Sequence, residues 1–204
     1  ELMARYAEVP LYKLLGGKFR DAVPLMRILA TKEPDDMADD AAQLVAQGYR
    51  YLKVKVDGDV QKDVARVKAV RERVGPDIKL TVDANESYGT KDAIFAINRM
   101  VDHAISLVEQ PVKASDLKGL KLVTESVPVN IEADESAMSM EDVSRLIGER
   151  IVDAISLRLP NLGGLHRSLA VARMCEAAAI EYRLGAAVGS RLLAAQSLHL
   201  AVAL

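Results

Sequence analysis

Two lysines, Lys53 and Lys55, stand two apart in the run LKVKV, so both ammonium groups leave a strand on the same face. From Lys55 onward, polar groups recur every 24 to 28 residues: Asp83 with Asn85, Glu109 before Gln110 and Pro111, Asp134 with Glu135, then Arg158. Each interval is about the length of one strand–helix unit. Three carboxylates from adjacent strands, Asp83, Glu109 and Asp134, would converge on one spot and raise each other's pKa. A hard divalent cation removes that conflict, and an all-oxygen donor set favours Mg²⁺, with Mn²⁺ as the substitute. Two like charges side by side, with a cation nearby, depress an ammonium pKa toward the range where it serves as a base. Competing readings stand beside these. The carboxylates could be solvated strand ends or partners of lysines. The KVK run could be an amphipathic strand with Leu52 and Val54 inside and the lysines out. His103, His166 and His199 fall away from strand ends and are expected to be core or surface residues.

Such groups meet only if the chain sets them at one level. Short β-rich apolar runs are expected as strands at 22–29, 50–56, 78–83, 104–109, 128–133, 152–158 and 181–187. Segments with helical spacing fill the gaps. Residues 35–47 place Met37, Ala41, Leu44 and Val45 on one face and stop at Gly48. Residues 60–74 carry a stripe of Val60, Val64, Val67, Val70 and Val74. Thr90, Ser115 and Ser139 stand where helix N-caps belong. Gly163 and Gly164 open a helix running to about 178, and a last helix is expected from about 190. Strand–helix alternation means parallel pairing with right-handed crossovers. Seven such units in series predict a TIM-like barrel in preference to an open doubly wound sheet. In a barrel, chemistry collects at the C-terminal strand ends, where the residues above fall. An eighth strand is expected outside these 204 residues. Residues 1–20 read as the end of a preceding unit, a helix plus a Gly-Gly turn, and residues 21–204 as the barrel domain.

Composition narrows the partners. Lys and Arg total 27 against 29 Asp and Glu, a formal charge of −2, without the basic excess of a nucleic-acid binder. Half the residues are hydrophobic, enough for a large core, yet no apolar run approaches the roughly 18 residues of a membrane span. Glu1 opens an ordinary amphipathic stretch, so no signal peptide is expected. The single cysteine, Cys175, fits a reducing compartment and a cytoplasmic location, with a core role for the thiol.

Together, KVK (53–55), VDAN (82–85), VEQP (108–111), EADES (132–136) and the Gly-Gly at 163–164 resemble the enolase superfamily, in its mandelate-racemase and muconate-lactonizing branch. The likeness runs from PLYKLLGG (10–17) to SLHLA (197–201), with the motifs in order and at matching intervals. It implies a (β/α)7β barrel, here without its last strand, and an N-terminal capping domain of which residues 1–20 are the end, its linker helix and a turn. It implies that Asp83, Glu109 and Asp134 hold the metal and that Lys55 removes the α-proton of a carboxylate. Lys53 then assists that base and holds the substrate carboxylate, and Asn85 lies beside the metal site. This superfamily pairs a Lys or His base with Mg²⁺ to stabilise an enediolate.

Two positions depart from the pattern. KxK members usually carry a second lysine after strand six, where this chain has Arg158. After strand seven many relatives carry Glu before Ser-Arg, where this chain has Gly189. A guanidinium is a poor base but binds carboxylates bidentately. The expectation is therefore a metal-dependent enzyme acting on a small carboxylate through an enolate, read first as a dehydratase, cycloisomerase or related lyase. The alternatives are a racemase or epimerase of an amino-acid derivative, a Schiff-base barrel using one lysine, and a non-catalytic barrel with a binding or structural role. The resemblance also implies a homo-oligomer in the complete protein. Glu86 and Tyr88, in the loop after VDAN, are read either as lining the site or as surface residues.

Overall fold

The computed structural model describes residues 1–185 and 189–204. Seven parallel strands form one sheet in sequence order: β1 Met26–Leu29, β2 Tyr51–Lys55, β3 Lys79–Asp83, β4 Ile105–Glu109, β5 Asn130–Ala133, β6 Ala154–Leu157 and β7 Glu181–Leu184. The strict order β1 to β7, with a crossover between each pair, is that of a barrel wound in one direction. The sheet curls until Arg183 of β7 brings Nη1 within 3.4 Å of Met26 Sδ on β1. All seven expected strands are present, each shorter than its apolar run. Positions 186 and 187 of the last expected strand lie outside the described residues.

Two short helices open the chain, α1 (Leu2–Tyr6) and α2 (Leu11–Leu14), where a single helix was expected. Gly16 and Gly17 follow at φ +120° and +113°, which only glycine adopts freely. This segment lies against the last helix: the Tyr12 ring stacks on His199, and Phe19 N donates to Val202 O at 2.9 Å.

The remaining helices cover the outside of the sheet: α3 Pro34–Ala46, α4 Val60–Val74, α5 Thr90–Met100, α6 Leu117–Ser126, α7 Met140–Gly148, α8 Leu159–Leu162, α9 Leu165–Ala178 and α10 Arg191–Ala203. The valine stripe of α4 does what its spacing implies, with Val67 and Val70 fully buried. Ser139 caps α7 by accepting from Asp142 N at 3.0 Å. The other two caps sit one residue away from the expected positions. Gly89 precedes α5, which begins at Thr90 itself, and Asp116 rather than Ser115 caps α6. An aspartate oxygen reaches the Gly119 N–H as well as a serine would, so the choice depends on backbone geometry that residue type does not encode.

Leu52 and Val54 face the helix layer and are fully buried. Lys53 and Lys55 face the barrel interior, which removes the reading of an outward lysine face. Among the described residues no helix is long and apolar enough to cross a membrane.

Candidate active site

Register builds the site. Lys55 pairs with Asp83 across β2 and β3, Asp83 with Glu109 across β3 and β4, and Glu109 with Glu132 across β4 and β5. Parallel partners project to the same side, so these four side chains form one row on the inner face. Asp134 lies two residues beyond Glu132, one layer nearer the mouth. Arg158 stands just past β6, at the start of α8. Asp83, Glu109 and Asp134 are each only 1% exposed.

Each carboxylate meets a cation. Lys55 Nζ donates to Asp83 Oδ2 at 2.6 Å and also to Asn85 Oδ1. Lys53 Nζ donates to Asp83 Oδ2 at 3.3 Å and forms an ion pair with Glu109 Oε2. Arg158 Nη2 pairs with Asp134 Oδ2. Asn85 links two strand ends, since its Nδ2 donates to Glu135 Oε1 at 3.0 Å. All seven residues singled out from the sequence thus stand on this inner surface or at its mouth.

Charge balance decides the protonation states. Burial works against an ionised Glu109, but Lys53 and Arg183 outweigh it and hold that carboxyl below its usual range. Burial, then the Glu109 charge, pushes the Asp134 carboxyl up to about 7, with Arg158 only partly opposing. Lys53 is held above the usual lysine range: burial opposes its charge, but Glu109 and Asp83 more than compensate.

Among the described residues no three Asp, Glu, His or Cys side chains are gathered as a ready-made metal cage. The donor set nonetheless fits a divalent cation. Asp134 Oδ1 is buried without a hydrogen-bond partner, and the repulsion that raises Asp134 is what such a cation relieves. Arg158 Nε is likewise buried without a partner.

The rim is held by a strained frame. Asn85, Glu86 and Gln110 adopt positive φ of 40°, 65° and 39° at the ends of β3 and β4. Such conformations persist only where surrounding bonds over-determine them. Gln110 supplies several: its Oε1 accepts from Asp134 N and Ser136 N, both at 3.0 Å, and its Nε2 donates to Ser136 Oγ and Val112 O. Glu86 N donates to Gln110 O at 2.8 Å. Glu86 and Tyr88 neither line the site nor lie free on the surface. Glu86 Oε1 accepts from Ala114 N, and the Tyr88 hydroxyl is buried against Asp63.

Sequence reasoning missed Glu132 and Arg183. Glu132 lies two residues before Asp134, and that period of two was its available signal. Arg183 pairs with Ser156 in register and reaches back to Glu132 and Glu109, a contact that only the curl of the sheet creates.

A parallel sheet wound in one direction, with two lysines beside three interior carboxylates, has the arrangement of an enolase-type barrel domain. Residues 36–204 match the family described as Enolase C-terminal domain-like, and the chain belongs to that family, in the mandelate-racemase and muconate-lactonizing branch of the enolase superfamily. It is 45% identical over 185 residues to a hydrophobic dipeptide epimerase of Enterococcus faecalis, covering 91% of this chain and 52% of that relative. It is 37% identical over 196 residues to an L-Ala-D/L-Glu epimerase of Clostridium acetobutylicum, covering 95% and 54%. The solved dipeptide epimerase from Enterococcus faecalis V583, complexed with Mg and the dipeptide L-Leu-L-Tyr, superimposes with a TM-score of 0.96. That match has 43% identity and covers all of this chain and 57% of that one. The chain spans about half the length of the curated relatives it matches.

Proposed function

We propose that this barrel is the catalytic part of a divalent-metal-dependent isomerase that removes the proton α to a carboxylate, and that it epimerises an amino-acid derivative of the dipeptide kind. The observation that carries the reading is the register row, which sets Lys55 beside Asp83 and Glu109, with Asp134 above them offering a free buried oxygen. The similar epimerases favour this reading over the dehydratase or cycloisomerase expected first.

Asp83, Glu109 and Asp134 would hold Mg²⁺, with Mn²⁺ as the substitute. The ion's contribution is to offset the charge that builds on the substrate carboxylate as the α-proton leaves. Lys55, at the mouth end of β2, accepts that proton from carbon. Lys53, deeper and held protonated, faces the same charge as a fixed cation in a dry interior, where preorganised charge acts most strongly. Asn85 accepts from Lys55 Nζ through its Oδ1, which holds the amine in place, and is itself oriented by Glu135. Epimerisation is completed when the α-carbon of the enolate takes a proton from solvent on the face away from Lys55 and Lys55 gives its own proton back to solvent.

A second reading rests on Arg158. A guanidinium opposite Lys55 binds an enolate or carboxylate but does not exchange protons readily, which favours chemistry on one face or expulsion of a β-leaving group.

The test uses the full-length protein with Mg²⁺ in deuterated water and a dipeptide panel beginning with L-Leu-L-Tyr. Epimerisation predicts deuterium at the α-carbon of the C-terminal residue, together with the L,D diastereomer. Deuterium without the diastereomer supports the second reading. A panel with no exchange at all removes the proposal.

A further inference from the structure

We infer that Arg183 and Glu132 act as one unit that orients the Glu109 carboxylate for the metal, so that both are positioning residues of the site. The inference rests on the metal-site reading above.

Glu109 and Glu132 are register partners on adjacent strands, both inside the barrel and both almost wholly buried. Two carboxylates so placed repel each other. Arg183, on β7, answers both. Its Nε donates to Glu132 Oε1 at 2.8 Å, and its Nη2 donates to Glu109 Oε2 at 2.9 Å and also pairs with Glu132 Oε2. The fork thus grips Glu132 with two nitrogens and touches Glu109 with one.

Stability alone does not explain this arrangement. A buried ion pair is often no better for a core than an apolar pair of the same volume. What an apolar pair cannot do is hold Glu109. Lys53 and Arg183 both bond to Oε2, which restrains the carboxylate rotation and leaves Oε1 outside these two contacts. Glu132 supplies the charge that keeps Arg183 from acting as a net repulsive cation beside the metal. Groups that orient a ligand in this way commonly change metal affinity by 10–100-fold.

The paired variant Arg183→Met with Glu132→Leu in the full-length protein separates positioning from packing. Removing both charges leaves neither one buried and unpaired. The expected result is a cooperative thermal transition near that of the parent, with Mn²⁺ affinity by titration calorimetry about 10–100-fold weaker. Arg183→Lys provides a second test, because lysine keeps the charge but loses the fork. It is expected to bind Mn²⁺ about 10-fold more weakly than the parent. A folded paired variant with parental affinity overturns the inference. If the paired variant does not fold, parental affinity in Arg183→Lys overturns it instead. A parent that binds no Mn²⁺ overturns the metal-site reading as well, whereas parental binding unchanged in the variants overturns this inference alone.

Discussion

At the scale of the residue, Lys55 and Arg158 are unlike as proton carriers, and variants of the two separate epimerisation from one-face exchange. Lys55 touches Asp83 and Asn85 and stands at the end of β2, where an α-carbon can reach it. Replacing Lys55 with Ala should abolish α-proton exchange into deuterated water while leaving the fold intact, and exchange at the parental rate would take Lys55 out of the reaction. Arg158 is committed to Asp134 through Nη2, yet its side chain remains 32% exposed, so its other terminal N–H groups can meet a substrate anion. A charge-assisted hydrogen bond of that kind is worth roughly 1.5–3 kcal/mol, or about 10- to 150-fold in affinity, and Arg158→Met should lose that much substrate binding. Arg158→Lys should add proton exchange on the second face if the parent works on one face only. Efficient two-face exchange by the parent, wholly dependent on Arg158, would show instead that the guanidinium takes part in proton transfer.

At the scale of the element, the loops that carry the site are tied together by a buried polar cluster on α4. The Asp63 carboxylate accepts from Gly58 N at 2.9 Å, Asp57 N at 3.3 Å, Arg66 Nη1 at 2.6 Å and the Tyr88 hydroxyl at 2.6 Å. Arg66 Nε in turn donates to Lys32 O at 2.8 Å, so the loops after β1, β2 and β3 meet on one helix. Gly58, at φ +98°, leaves no room for a side chain, because an added Cβ would lie 2.8 Å from Ser87 O. Burial, and then the bond to Asp63, keeps the Tyr88 hydroxyl protonated far above its usual range, so it acts as a permanent donor. Tyr88→Phe removes that one donor without altering the packing volume much, and a loss of about 1.5–3 kcal/mol is expected, the value for a hydrogen bond to a charged group. Urea unfolding with an unchanged slope and a lower midpoint would show it, whereas an unchanged midpoint would mean that the other three donors suffice. This cluster marks where reading the chain alone stops. The valine stripe, the seven apolar runs and the strand-end charges are periodic, so the barrel and its seven singled-out residues were legible from spacing. Asp63 and Tyr88 carry no periodic signal, because their partners come from three different loops. Glu132 shares its period with Asp134, but Arg183 becomes meaningful only once β7 has curled toward β1.

At the scale of the whole molecule, the interior cations leave the Asp134 carboxylate incompletely offset, and this makes stability depend on pH in a definite way. Asp134 titrates at about 7 in the folded chain against an ordinary value of 3.8, because burial and Glu109 disfavour its charge. A carboxyl raised in the folded state contributes stability that is fully present below about pH 4 and is lost as pH rises toward 7. Metal-free protein should therefore weaken over that window in this respect. A divalent cation needs the deprotonated carboxylate, so its affinity should climb over the same window and level off above about pH 7. Binding to the folded state alone stabilises by about 2.7 kcal/mol at a concentration 100 times Kd. The gap in Tm between protein with Mg²⁺ and protein with EDTA should thus be small at pH 5 and largest near pH 8. Scanning calorimetry of the full-length protein at both pH values tests this, with Asp134→Asn as the control that should flatten the difference. A gap of equal size at pH 5 and pH 8 would mean that Asp134 is ionised throughout, and that Arg158 alone offsets both its burial and the charge of Glu109.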